Sequence, residues 1–195
     1  VSVELRVPGV ERWWPRGMGA QRRYDLTVSL DEDGAAVDSV TRRVGFRSVE
    51  LDTSTDEHGT GFTFVINGIR TVIRGANWIP EDCFPSRVTR QRYRERLQDA
   101  AEANLNLIRV WGGGIYESFH FYDLCDEMGL LTWQDFLFAC AAYPEEEPLR
   151  SEVEAEAREN VARLSGHPSL VLFNGANENI EGWNDWGWQQ KLEGR

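Results

Sequence analysis

Up to about residue 52, apolar and polar residues alternate with a period of two. Val3, Leu5 and Val7 keep this pattern, as do Tyr24, Leu26, Val28 and Leu30, and a further strand is expected from about Val37 to Val49 beyond the turn Asp31-Glu-Asp-Gly34. Such alternation predicts β-strands with one covered face. These strands suit the end of a β-sandwich but are too few to close two sheets, so earlier strands are expected to precede this chain.

The polar run Asp52-Thr-Ser-Thr-Asp-Glu-His-Gly-Thr60 reads as a linker, which predicts domains over 1–52 and 61–195 with the joint at 53–60. Beyond it, Phe62-Thr-Phe-Val-Ile66 and Ile69-Arg-Thr-Val-Ile73 flank Asn67-Gly68. That pair predicts a hairpin, because a type I′ turn needs positive φ at both central residues.

From there strand and helix patterns alternate. The second hairpin arm runs on into Arg74–Trp78, a helix is expected from about Thr89 to Ala103 and a strand over Leu105–Trp111. A second helix over Glu117–Met128 stops at Gly129, before the strand Leu130–Phe136. A third spans about Pro148 to Leu164, with Glu145-Glu-Glu147 at or before its first turn, where negative charge suits the helix dipole. The run Leu170-Val-Leu-Phe173 then lacks alternation, as in a strand buried on both faces, and ends in Asn174-Gly-Ala-Asn-Glu178.

Four strand–helix repeats make half of a (β/α)8 barrel, which takes about 250 residues when complete. The fold class is therefore α/β: the first half of a TIM (β/α)8 barrel, preceded by the C-terminal strands of an immunoglobulin-like β-sandwich. In such barrels the chemistry sits at the C-terminal strand ends, which singles out Glu178; the alternative is that Glu178 caps the next helix. A doubly wound fold is less apt, because no GxGxxG follows the first strand and Gly112-Gly-Gly114 lacks the Lys-Ser/Thr of a phosphate loop.

Composition narrows the partners. A net charge of −11 argues against nucleic acid and anionic membranes. Eight Trp, many beside Gly, Asn or Asp, suit carbohydrate, whose C–H faces stack on rings while its hydroxyls need polar groups. The three Cys (Cys83, Cys125, Cys140) lack disulfide or zinc spacing, and buried free thiols in a reducing compartment such as the cytoplasm are expected. No signal peptide or membrane-spanning run is seen, and the three His share no ligand face, so no metal or cofactor is expected.

Several motifs, in order, resemble glycoside hydrolase family 2 in its β-mannosidase branch. Trp13-Trp-Pro-Arg-Gly-Met-Gly-Ala-Gln21, Tyr24-Asp-Leu26 and Val44-Gly-Phe-Arg47 are similar to the end of its sandwich domain. Arg74-Gly-Ala-Asn-Trp-Ile-Pro80 with Asp82, and Arg109-Val-Trp-Gly-Gly-Gly-Ile-Tyr-Glu117, are similar to its first two barrel strands. His167-Pro-Ser-Leu170 with Asn177-Glu178 resembles its acid/base strand, with Ala176 where β-mannosidases commonly have Asn.

The resemblance implies retaining exo-hydrolysis of terminal β-mannosides, with a β-mannoside or manno-oligosaccharide as partner; the alternatives are another exo-glycosidase of the family, of the β-galactosidase or β-glucuronidase type, and a non-catalytic carbohydrate-binding fragment. Glu178 would be the general acid/base, and the nucleophile would come from a later strand, beyond Arg195. The resemblance suits Asn177 to hydrogen-bond the sugar 2-hydroxyl; its alternative is a turn residue. Arg109 needs a carboxylate partner, either the nucleophile or a local acid such as Asp135. Trp78, Trp111, Trp133 and Asp135 are expected around the sugar, Asp82 binds hydroxyls or caps a turn, and Trp183 and Trp186 are expected on the leaving-group side. The chain is expected to be inactive alone and to self-associate through open strand edges.

Overall fold

A computed structural model describes residues 3–192; Val1 and Ser2 of the expected first strand, and residues 193–195, lie outside it. The chain divides into two compact units, residues 1–72 and 73–195.

In the first unit, β1 (Tyr24–Glu32) and β2 (Ala35–Val44) form an antiparallel hairpin. Asp33 and Gly34 turn it with φ of 52° and 80°, the positive values a type I′ turn demands. Val28 faces Val40 across the ladder, and Leu26, Val28, Leu30 and Val40 are exposed. The expected strand over Val3, Leu5 and Val7 does not form: residues 3–7 are irregular and exposed, and no ladder partner is paired with them among the described residues.

The single strand expected over Val37–Val49 is broken as well. β2 ends at Val44 and β3 spans Val49–Asp52, because residues 45–48 bond elsewhere: Trp13 N donates to Phe46 O at 2.8 Å, and Asn67 N donates to Ser48 O at 3.0 Å. Trp13, fully buried, is held there by Asn67 Nδ2 donating to its carbonyl at 2.9 Å.

The polar segment near 53–60 is a short hairpin, β4 (Thr55–Asp56) with β5 (Gly59–Thr60), inside this unit. β6 (Thr63–Ile66) and β7 (Ile69–Thr71) form the hairpin expected at Asn67-Gly68, with φ of 53° and 84°. β6 also pairs with β3, giving the order β3-β6-β7 and tying the hairpin to the first unit; the division between units falls after Val72.

The second unit is a four-stranded parallel sheet with helices between the strands. β8 (Gly75–Trp78), β9 (Leu107–Val110), β10 (Leu131–Asp135) and β11 (Leu170–Asn174) lie in chain order. A 3-10 turn at Pro85–Arg87 precedes α1 (Arg90–Glu102), whose first turn is capped by the Thr89 hydroxyl accepting from Arg92 N. α2 (Phe119–Met128) stops where Gly129 turns left-handed at φ 73°, and α3 (Leu149–Leu164) links β10 to β11. Glu147 accepts from Ser151 N at 3.2 Å, satisfying an N–H of the first α3 turn. Two short helices, α4 (Asn179–Asn184) and α5 (Trp188–Leu192), follow β11.

Register decides what each sheet face carries. Trp78 lies opposite Val110, and Val110 opposite Gln134; one residue earlier Asn77 lies opposite Arg109, and Arg109 opposite Trp133. Since side chains alternate along a strand, the Ile108, Val110 and Trp78 set meets the helices while the Arg109 and Trp133 set faces away. The helix-facing set joins Tyr93, Leu97, Phe121, Leu124 and Cys125 in the core. Cys125 is the buried thiol that was expected; Cys83 and Cys140 are exposed.

Candidate active site

On the face turned away from the helices, Asp135 is the hub. It is fully buried and accepts from Arg109 Nε at 3.2 Å and Nη2 at 2.8 Å, a two-pronged pairing. Three further N–H groups reach it: Trp133 Nε1 at 2.9 Å, Asn174 Nδ2 at 3.0 Å and Gly112 N at 3.1 Å. A buried carboxylate costs several kcal/mol unless a cation and donors surround it, and this one has both. The local acid is thus the partner Arg109 uses here.

Gly112 can donate because it has no side chain. A Cβ there would sit 2.5 Å from Phe138 O and 2.7 Å from Phe136 O, and one on Gly113 would meet the Trp111 ring at 2.0 Å. The missing side chains thus let Gly112 and Gly113 approach the chain just after β10 and the Trp111 indole closely.

Arg109 extends the network outward. Its Nη2 also donates to Asn177 Oδ1 at 2.9 Å, and Asn177 Nδ2 points to Cys140 Sγ at 3.3 Å. The Cys140 thiol donates to Glu178 Oε2 at 3.2 Å. Beyond the strand ends the two segments stay paired: Asn177 N donates to Phe138 O at 2.9 Å and Cys140 N to Asn177 O at 3.1 Å. Cys140 and Glu178 both have positive φ, 52° and 61°, a conformation unusual for side-chain-bearing residues. Glu178 occupies the N-cap position of α4 without a side-chain capping bond, so its carboxylate is left exposed. That carboxylate pushes the Cys140 thiol up, since a neighbouring acceptor and negative charge disfavour the thiolate.

The cluster thus gathers Glu178, Asn177, Arg109, Asp135 and Trp133, whose ring lies 5.5 Å from the Arg109 guanidinium carbon. Other expected site residues lie elsewhere. Trp78 turns to the helix face, where it packs on Phe121 at a ring separation of 4.9 Å and donates from Nε1 to Glu117 Oε1 at 2.9 Å. Tyr93 OH donates to the other oxygen of that buried glutamate at 2.5 Å, and burial together with Glu117 pushes the phenol up to about 12. Asp82 caps a turn, accepting from Phe84 N and Arg87 Nη2; these bonds hold its carboxyl below the usual range. Trp111 covers Gly113, and Trp186 stands edge-on to Trp188, 5.5 Å between rings.

A cavity of about 720 Å³ opens beside this cluster, walled by Phe138, Tyr143, Asn179, Trp183 and Trp188 among others. Glu178 itself is not in its lining, but the next residue, Asn179, is. Sequence reasoning overlooked Cys140 and Asn174. Asn174 was legible as a polar residue closing an apolar strand; nothing local marked Cys140, which reaches Glu178 only through pairing across 38 residues.

The family described as glycosyl hydrolases family 2 matches residues 1–47. A β-mannosidase of Capra hircus is 46% identical over 182 residues, covering 90% of this chain and 21% of that protein. The crystal structure of a β-D-mannosidase from Dictyoglomus thermophilum superposes with a TM-score of 0.88 at 48% identity, over 91% of this chain and 22% of that one. The exo-chitosanase CsxA of Amycolatopsis orientalis superposes at 0.69 with 28% identity, over 83% and 19% respectively. The chain therefore spans about a fifth of the length of the curated relatives it matches. Its first 47 residues thus match the glycosyl hydrolases of family 2, and the chain is similar, over nine-tenths of its length, to β-mannosidases.

Proposed function

We propose that this chain carries the acid/base half of a retaining exo-β-mannosidase site, on the first half of a (β/α)8 barrel that follows the last strands of an immunoglobulin-like sandwich, the two compact units dividing after Val72. The observation that supports this best is the exposed Glu178 carboxylate just past the C-terminal end of a parallel strand, tied through Cys140, Asn177 and Arg109 to buried Asp135. A carboxyl group so placed is open to a substrate on one side and fixed on the other. Protonated, it assists departure of the leaving-group oxygen; ionised, it activates water in the second step.

Retention also requires a nucleophilic carboxylate about 5–5.5 Å from the first. The resemblance draws it from a later strand, and no residue of this chain is assigned that role. Asn177, with Oδ1 taken by Arg109, would offer its amide N–H to the sugar 2-hydroxyl. Arg109 and Asp135 act by orienting Asn177, and Trp133 flanks the sugar.

The deciding experiment is Glu178→Gln in the gene product that carries this sequence, assayed on an aryl β-mannoside. General acid/base assistance contributes about 10²–10⁴-fold, and a loss of that size is expected; unchanged turnover would refute the assignment. A second reading, another family 2 exo-glycosidase, is favoured by the 28% identity to the exo-chitosanase. Faster hydrolysis of aryl β-galactoside, β-glucuronide or β-glucosaminide than of the mannoside would establish it. The 195 residues alone are expected to show no enzyme-like turnover and, with β8 and β11 as open sheet edges, to self-associate on sedimentation.

A further inference from the structure

Glu178 is a long side chain at an exposed N-cap position, yet one of its carboxylate oxygens is tied down, by the thiol of Cys140. Backbone pairing puts the two together. Ala139 and Asn177 form an isolated parallel bridge, with Asn177 N donating to Phe138 O at 2.9 Å and Cys140 N to Asn177 O at 3.1 Å. Cys140 and Glu178 then both turn at positive φ, and the short side chain of one meets the carboxylate of the other.

The direction of every hydrogen bond leading to that carboxylate is fixed. Arg109 has no acceptor, so its contact at 2.9 Å makes Asn177 Oδ1 the receiving atom and settles which way the amide points. Asn177 Nδ2 is therefore turned to Cys140 Sγ at 3.3 Å, where it can only donate. With the sulfur accepting on that side, its single S–H is left for Glu178 Oε2 at 3.2 Å. The negative charge of Glu178 disfavours the thiolate, which keeps that hydrogen on the sulfur at neutral pH.

A polarity that starts at a guanidinium thus ends on one particular oxygen. In a protonated carboxyl the carbonyl oxygen is the better acceptor, so an S–H aimed at Oε2 makes Oε2 the carbonyl and Oε1 the hydroxyl. Among the described residues no hydrogen bond is made to Oε1, which leaves that oxygen open to a substrate.

Resting on the acid/base reading of Glu178, we propose that Cys140 is a positioning residue for the reaction: its thiol holds Oε2 as an acceptor in both protonation states, so the transferred proton resides on Oε1. In the first step the O–H bond at Oε1 breaks as the leaving oxygen takes the proton and keeps the electron pair of its bond to the sugar. In the second, water returns a proton to Oε1 as its oxygen bonds the sugar carbon and the nucleophile departs. Cys140 touches neither the substrate nor that proton; it acts through Glu178.

The gene product that carries this sequence, assayed on two aryl β-mannosides, tests this. Phenyl β-mannoside needs a proton on its leaving oxygen, whereas 2,4-dinitrophenolate leaves without one, so a defect in acid assistance separates the two and a general disturbance of the site does not. Cys140→Ala is expected to lower kcat/KM about fivefold for the phenyl substrate and by less than about twofold for the dinitrophenyl substrate, the size of one lost hydrogen bond. Cys140→Ser, which keeps an O–H donor, should bring the phenyl value back to within about twofold of the wild type. In a Glu178→Gln background Cys140→Ala should add nothing, because no acid is left to position. Cys140 is exposed, so the alanine removes little packing, and far-UV circular dichroism checks the fold.

Equal losses on both substrates, no loss on either, a serine variant as slow as the alanine variant, or a further loss in the Glu178→Gln background would each overturn the proposal. Failure of the acid/base reading looks different: Glu178→Gln would itself lower kcat/KM for both substrates alike, or for neither. If Glu178→Gln slows the phenyl substrate selectively and Cys140→Ala does not, Glu178 stands as the acid and the role of Cys140 falls.

Discussion

Two carboxylate clusters sit on opposite faces of the parallel sheet, and they are built differently. On the helix face, buried Glu117 is met by two uncharged donors, the Trp78 indole and the Tyr93 hydroxyl, inside the aromatic core. On the other face, buried Asp135 is met by a guanidinium and three N–H groups, and the same guanidinium reaches outward to Asn177. The first cluster ends in packed rings; the second leads to the solvent-exposed carboxylate of Glu178. A polar network closed on itself secures packing, whereas one with an open end can present a group to a substrate. The comparison also explains why Trp78, at a strand end in an aromatic-rich sequence, belongs with the core: the pleat turns it toward Val110 and away from Arg109.

The comparison is most exposed to failure at Arg109. Arg109→Met leaves Asp135 buried and unbalanced, and a loss of about 3–5 kcal/mol in urea unfolding is expected. Coupling it with Asp135→Leu should recover much of that loss. Little effect from the single change would mean that Asp135 is not held as described.

On the helix face the expected effect is smaller. Trp78→Phe keeps the ring but removes the indole N–H, which should cost about 1–3 kcal/mol in stability. Affinity for methyl β-mannoside should stay the same. If stability held and sugar affinity fell instead, Trp78 would belong to the sugar site.

Tyr93 gives the same face a pH signature. Its phenol is pushed up from 10.0 to about 12, chiefly by burial and next by Glu117. The folded protein therefore favours the protonated form more than the unfolded chain does, and this support is complete below pH 10 and lost as pH rises toward 12. A Tyr93→Phe variant should show a shallower fall in melting temperature over that window.

The smallest effect is expected at Cys140. Glu178 disfavours its thiolate, so Glu178→Gln should lower the thiol pKa and speed iodoacetamide alkylation of Cys140 near neutral pH by a few-fold. An unchanged rate would break the link between the two side chains.

Much of this was legible before any coordinates. The period of 3.6 over Tyr93, Leu97 and Ala101, and the stop at Gly129, mark helices that form within two residues of the expected bounds. Asn67-Gly68 turns where positive φ was demanded. Glu178, Asn177, Arg109 and Asp135 were each legible as polar residues at the ends of apolar strands. Harder to read were the break at 45–48, made by bonds to Trp13 and Asn67, and the absence of a strand over residues 3–7. Alternation there was sound, but a strand needs a neighbour as well as a pattern.

By itself the sequence determined the order of strands and helices, the turn chemistry and which carboxylate closes the last apolar strand, because these depend on local backbone preference and side-chain period. Only the tertiary structure decided that Asp135 is the partner of Arg109, that Cys140 holds Glu178, that Trp78 faces the helices and that a cavity opens beside Asn179. Those outcomes rest on register and on pairing between segments dozens of residues apart, where a shift of one residue reverses which face every side chain occupies.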